Sequence, residues 1–198
     1  MEKKVTAGWL GTGVMGTSMA GHLLASGFPL TLYTRTRSKA DSLIAQGAQW
    51  SNSPSEVAER SDIVFTMLGY PQDVDDVYCK GKGVLAGCRP NSVLVDMTTS
   101  SPALAARISE KAVERGCQLL DAPVSGGDIG AKRGTLAIMC GGEKEAFERT
   151  LPFLRVMGDK IELFGSSGSG QRVKMANQIL IASTMVGTVE ALLYAERA

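Results

Sequence analysis

The chain has 198 residues, 44% of them hydrophobic and 21% charged, with 23 glycines, the profile of a well-cored globular protein rather than a disordered or fibrous one. Its 21 Lys+Arg against 20 Asp+Glu leave a net charge of +1 with no long basic run, so no bulk attraction to nucleic acid or to an anionic membrane surface is expected. An anionic ligand must therefore be met by a local site, in one large domain or one domain plus a piece of another.

Met1-Glu2-Lys3-Lys4 carries no visible address, and no stretch reaches the roughly 18 uninterrupted apolar residues of a membrane span. A cytoplasmic protein is expected. Apolar, β-rich runs then alternate with helical patterns: strands at 5–10, 29–34, 48–51, 62–67, 92–96, 117–121, 135–140 and 160–164, and helices at 14–26, 37–46, 55–60, 72–79, 102–115 and 143–156. This order predicts an α/β fold, a doubly wound, mostly parallel sheet with helices on both faces. Ser53-Pro54 and Ser101-Pro102 read as helix starts, a hydroxyl cap followed by proline in the first turn.

The first strand feeds Gly11-Thr12-Gly13-Val14-Met15-Gly16 and then a helix, the context a dinucleotide-binding fingerprint needs. Gly11 permits a tight turn, Gly13 admits backbone to a pyrophosphate, Gly16 lets helix and strand pack closely, and the helix N-terminus offers free N–H groups. After the second strand comes Thr34-Arg35-Thr36-Arg37-Ser38-Lys39, with no carboxylate before Asp41 to accept from an adenine ribose 2′-OH. Arg35, Arg37 and the hydroxyls can instead grip a 2′-phosphate, which favours NADP(H), with NAD(H) as the alternative. Met67, Leu68 and Gly69 after the fourth strand and Thr99 after the fifth lie at strand C-terminal ends, where open α/β sheets bind ligands.

His22, the lone histidine, falls within the first helix and reads as structural; one imidazole and four scattered cysteines (Cys79, Cys88, Cys117, Cys140) predict neither a metal site nor a disulfide framework. From Gly165 a Gly/Ser loop, GSSGSG, precedes one long helix running to Ala198. Its apolar residues cover more than a narrow stripe, so much of its circumference calls for burial. The expected boundary falls between a dinucleotide-binding domain over 1–165 and this long helix over 166–198.

Asp121-Ala122-Pro123-Val124-Ser125-Gly126-Gly127 with its continuation through Gly142, together with Gly168-Ser169-Gly170-Gln171-Arg172-Val173-Lys174-Met175-Ala176-Asn177-Gln178, closely resemble the β-hydroxyacid dehydrogenase family. GWLGTGVMG, FTMLGYPQDV and LVDMTTSSP match in the same order, so the resemblance spans essentially the whole chain. It implies a Rossmann-type NAD(P)-binding domain over 1–165, the start of an interdomain helix and of a truncated all-helical dimerisation domain over 166–198, a small hydroxy or aldehyde acid substrate and a homodimer or higher oligomer. It also implies that Ser125, Gly126 and Gly127 hold the substrate's acid group, consistent with small residues whose N–H groups can line a concavity for a carboxylate. Lys174 is implied to be the general acid that protonates the carbonyl oxygen, with Asn177 and Gln178, at i+3 and i+4, contacting substrate from the same face.

Within the family, the absence of a histidine after Lys174 disfavours the 6-phosphogluconate branch, and the presence of Lys174 disfavours imine reduction. Oxidation of a 3-hydroxyisobutyrate-like acid remains, alongside tartronate, glyoxylate or succinic semialdehyde reduction. A non-catalytic NADP-binding module is the reading from a different class. Because relatives continue from this helix into a helical domain, a chain ending at Ala198 is expected to bind cofactor weakly and turn over poorly by itself.

Overall fold

The computed structural model describes residues 5–198. The N-terminal tetrapeptide, in which no address was visible, lies outside the described residues. Six short strands, β1 (Ala7–Leu10), β2 (Leu30–Tyr33), β3 (Gln49–Trp50), β4 (Ile63–Thr66), β5 (Val93–Asp96) and β6 (Gln118–Asp121), form an all-parallel sheet in the order β3-β2-β1-β4-β5-β6. That order is the doubly wound arrangement expected from the alternation of strands and helices, and it reverses direction beside β1.

Register explains why these strands are apolar at nearly every position. Leu32, Trp9, Phe65, Val95 and Leu120 align as one row across β2, β1, β4, β5 and β6, and all five are buried. Their neighbours Gly8, Val64, Leu94 and Leu119 form the adjoining row, pointing to the opposite face. Helices cover both faces, so both rows are excluded from water. Trp9 stacks near Phe65 at 5.8 Å on one side. On the other, Val64 and Leu94 pack with Val57, Tyr78 and Ile108.

The helices are α1 (Val14–Ala25), α2 (Asp41–Ala45), α3 (Pro54–Glu59), α4 (Pro71–Cys79), α5 (Val84–Gly87), α6 (Pro102–Val113), α7 (Gly127–Arg133), α8 (Lys144–Leu154) and α9 (Ser169–Arg197). Both Ser-Pro starts form as expected: Ser53 Oγ accepts from Glu56 N–H and Ser101 Oγ from Leu104 N–H. The helix predicted over 37–46 is a 3-10 turn at Arg37–Ala40 that runs into α2. His22 is structural, its Nε2 lying 2.9 Å from the Ala131 carbonyl oxygen and so joining α1 to the end of α7.

Two features depart from the sequence reading. The last two predicted strands do not extend the main sheet: β8 (Leu136–Cys140) and β9 (Gly158–Leu163) join β7 (Val124–Ser125), which was not predicted, in a second, three-stranded sheet, antiparallel between β7 and β8. A bridge between Asp121 and Gly141 hooks it to the end of β6. Helix α9, moreover, is apolar and long enough to cross a membrane by length and composition, with a mean hydropathy of 1.4 over its best window. The count of uninterrupted apolar residues missed this because Ser183, Thr184 and Thr188 interrupt the run while returning their hydroxyls to carbonyls one turn back. Only Gly170, Gln171 and Lys174 of α9 are buried; Ile179, Leu180, Met185 and Leu192 are exposed.

Candidate functional site

The C-terminal ends of β1, β2 and β4 open onto a cleft of about 500 Å³ at the point where the strand order reverses. Its floor is the loop Gly11–Gly16, one wall is Tyr33–Thr36 with Lys39, and the other is Met67–Gly69 with Asp73. Gly11–Gly16, Thr34–Thr36 and Met67–Gly69 all line it as predicted, whereas Arg37 and Thr99 do not. Thr99 is exposed on the loop after β5, outside the cleft lining.

The three fingerprint glycines are required for different reasons. Gly11 has φ +97°, and a Cβ there would collide with the Met67 carbonyl. A Cβ at Gly16 would strike the carbonyl of Gly11, so the start of α1 can approach the loop only without one. At Gly13 a Cβ would meet nothing within 4 Å, because the backbone faces open cleft. Thr12 Oγ1 is buried and has no hydrogen-bond partner among the described residues. An open backbone, an unpaired hydroxyl and the N-terminus of α1 together fit the phosphates of a dinucleotide.

Beyond the end of β2, Arg35 pairs with Asp73 across the cleft mouth at 3.0 Å, the side chains being 80% and 21% exposed. The expectation that Arg37 faces the same ligand does not match its position. Its guanidinium lies 5.3 Å over the Trp50 ring, outside the cleft lining, and Lys39 lines the cleft instead.

The predicted substrate residues lie apart from this cleft lining. Ser125 ends β7, and Gly126 and Gly127, at φ +132° and +62°, turn the chain directly into α7. The glycines expected to line a concavity with their N–H groups thus form a helix start, whose first N–H groups lack intrahelical acceptors. Asn177 Nδ2 donates to Ser125 Oγ at 3.3 Å, bringing together two predicted substrate residues from distant parts of the chain. Gln178 is exposed and accepts from Asn177 Nδ2. Lys174 is only 7% exposed, and no hydrogen bond or ion pair joins its ammonium to another described residue. Burial pulls its pKa below the usual lysine value, toward the range where an amine exchanges protons.

A second tier of polar residues, absent from the sequence reading, supports this side. Thr66, Asp96 and Asp121 fall in one register row at the C-terminal edge of the sheet. Asp96 accepts from Thr66 Oγ1 at 2.8 Å and from Thr98 N–H at 3.1 Å, and burial raises its pKa to about 6. Asp121 accepts from the N–H groups of Gly168 and Gln171, while burial pushes its pKa upward. Polar residues closing otherwise apolar strands were the available signal.

Residues 6–165 match the family model described as the NAD binding domain of 6-phosphogluconate dehydrogenase. Residues 168–198 match that described as the NAD-binding region of NADP-dependent 3-hydroxyisobutyrate dehydrogenase. An uncharacterized oxidoreductase of Bacillus subtilis, YkwC, is 50% identical over 98% of this chain and 67% of its own length. The probable 3-hydroxyisobutyrate dehydrogenase-like 1 protein of Arabidopsis thaliana is 53% identical over 96% of this chain and 57% of its own. Among solved structures, Mycobacterium tuberculosis 3-hydroxyisobutyrate dehydrogenase with L-serine superposes with a TM-score of 0.92 at 33% identity, covering 98% of this chain and 66% of that one. The chain thus spans between about half and two thirds of the length of these relatives.

Proposed function

The chain belongs to the β-hydroxyacid dehydrogenase family, and from that premise we propose that it interconverts a small 3-hydroxy acid and its aldehyde acid, most like 3-hydroxyisobutyrate dehydrogenase. The observation that carries this reading is the buried, unpartnered Lys174, set one turn before the Asn177 that reaches Ser125. The lysine's stem is buried while its ammonium, with no partner among the described residues, is left available to a bound ligand.

Bound in the glycine-loop cleft, a nicotinamide dinucleotide would supply or accept the hydride. The protein's own share is binding and proton transfer. Gly11–Gly16 and the start of α1 hold phosphates through N–H groups. Ser125 and the first turn of α7 take the substrate carboxylate, and Asn177 orients the Ser125 hydroxyl. Lys174 Nζ gives its proton to the carbonyl oxygen during reduction and removes it from the alcohol during oxidation. Its lowered pKa brings the two protonation states closer in free energy, which suits a group that must work in both directions.

Arg35 and Lys39 at the adenine end, without a carboxylate at the end of β2, support NADP(H) over NAD(H). The exposed apolar side chains of α9 support assembly with a helical partner, a second copy included. The deciding experiment, run on the longest natural chain that carries these residues, is a panel of 3-hydroxyisobutyrate, tartronate semialdehyde, glyoxylate and succinic semialdehyde with NADPH and NADH, monitored by nicotinamide absorbance. Turnover of one short acid with preference for NADPH is expected; binding of cofactor without turnover of any short acid points to a non-catalytic module.

A further inference from the structure

We infer that Gln171 is a positioning residue for Lys174, clamping the first turn of α9 to the ends of β5 and β6 so that the lysine's place is set through its backbone. The inference rests on the proton-transfer role proposed for Lys174. No partner among the described residues holds the Lys174 ammonium, so its location depends on how the helix start is anchored.

That anchoring is unusually polar for a buried place. Gln171 is fully buried, 0% exposed, one turn before Lys174. Its Oε1 accepts from Ser100 N–H at 2.8 Å and its Nε2 donates to the Thr98 carbonyl at 2.8 Å, so the amide binds the loop after β5 through both its acceptor and its donor. Its backbone N–H donates to Asp121 Oδ2 at 2.8 Å, while Gly168 N–H donates to Asp121 Oδ1 at 2.6 Å. Gly170 completes the fit, since a Cβ there would collide with the Met139 carbonyl. The helix start is therefore fixed against β5, β6 and β8 at once.

The clamp also reaches the cofactor cleft. Thr98, whose carbonyl Gln171 holds, accepts from Leu68 N–H through its hydroxyl at 2.9 Å, and Leu68 lines the cleft. One chain of hydrogen bonds runs from the cleft wall through Thr98 and Gln171 to the helix that carries Lys174 and Asn177. An apolar side chain of equal size would fill the volume and leave that chain broken, which separates positioning from packing.

The test uses Gln171→Met, which keeps volume and removes both side-chain hydrogen bonds. In the cofactor-free protein, the rate of Lys174 labelling by an amine-acylating reagent, read by mass spectrometry, is expected to rise several-fold against exposed lysines such as Lys144 as internal standards. In turnover, kcat is expected to fall about 10- to 100-fold with the KM values little changed, the loss that a misplacement of about 1 Å produces. Both are measured well below the variant's melting midpoint. If Gln171→Met does not fold, Gln171→Asn, which keeps the amide on a stem one methylene shorter, is read for the same labelling and kcat changes. Unchanged Lys174 labelling in a folded variant overturns the assignment, as does an unchanged kcat when Lys174→Ala is inactive. Full turnover by Lys174→Ala would instead refute the proposed function, and the labelling comparison would still decide the positioning role.

Discussion

Gly13→Ala separates the folding role of the glycine loop from its binding role. The backbone at Gly13 has φ −74° and ψ −170°, a conformation alanine adopts freely, and a Cβ there meets nothing within 4 Å. The methyl group reduces the unfolded chain's conformational freedom, worth about 0.4–1 kcal/mol in favour of folding, while alanine is a poorer N-cap than glycine by a few tenths to about 1 kcal/mol. These effects oppose each other, so stability is expected to stay within about 1 kcal/mol of wild type. The methyl group does, however, occupy the space through which a pyrophosphate approaches the backbone. Overpacking of that kind costs about 1–3 kcal/mol, or roughly a 5- to 150-fold rise in Kd. Titration of NADPH fluorescence measures the second quantity, and thermal melting of the cofactor-free protein the first. An unchanged Kd would refute the placement of the phosphates at Gly13, and a fall in melting temperature large enough to explain weaker binding would refute the separation.

Gly16→Ala is expected to behave oppositely, losing about 1–3 kcal/mol in denaturant melts without cofactor, because its Cβ enters the Gly11 carbonyl. At the adenine end, Arg35→Ala should weaken NADPH binding by about tenfold or more and leave NADH nearly untouched, as a charge-assisted bond to a 2′-phosphate requires. Asp73→Asn releases Arg35 from its 3.0 Å ion pair and should tighten NADPH; equal effects on both cofactors would remove Arg35 from the selectivity argument. Asp96 has a folded-state pKa of about 6, above its ordinary 3.8, so as pH rises the unfolded chain ionises first. The stability held by its protonated form is full below about pH 4 and is lost as pH rises through about 6, up to about 3 kcal/mol for a shift of about two units. Asp96→Asn cannot ionise, and its stability relative to wild type, from urea melts, should improve by that amount between about pH 4 and pH 7; a gap that is flat with pH would contradict the assignment.

How far the sequence could be read depended on whether a signal was local. The parallel sheet was legible because buried strands carry apolar residues on both faces, as Val64-Phe65 and Leu94-Val95 do. The cofactor cleft was legible because its glycines, turn and helix start lie consecutively along the chain. The second sheet was not, since a strand pattern does not name its partner, and β7 is only 2 residues long. Helix α7 was missed because Gly127 and Gly130 are poor helix formers and only Gly130 and Ala131 are buried. Arg37 read as a phosphate ligand, but Trp50, a neighbour only through strand pairing, takes its guanidinium. The Gln171 clamp was invisible for the same reason, its partners Ser100 and Thr98 lying 71 and 73 residues away.

In the proposed reaction Lys174 moves the proton while hydride transfer takes place in a site shared by the glycine-loop cleft and the Ser125–Asn177 side. The most direct test of that division is single-turnover oxidation of NADPH by the preferred aldehyde acid, comparing wild type with Lys174→Ala at saturating cofactor. A rate loss of about 10²- to 10⁴-fold is expected, the range for removing a general acid, with NADPH affinity unchanged. Wild-type rates in Lys174→Ala would contradict it.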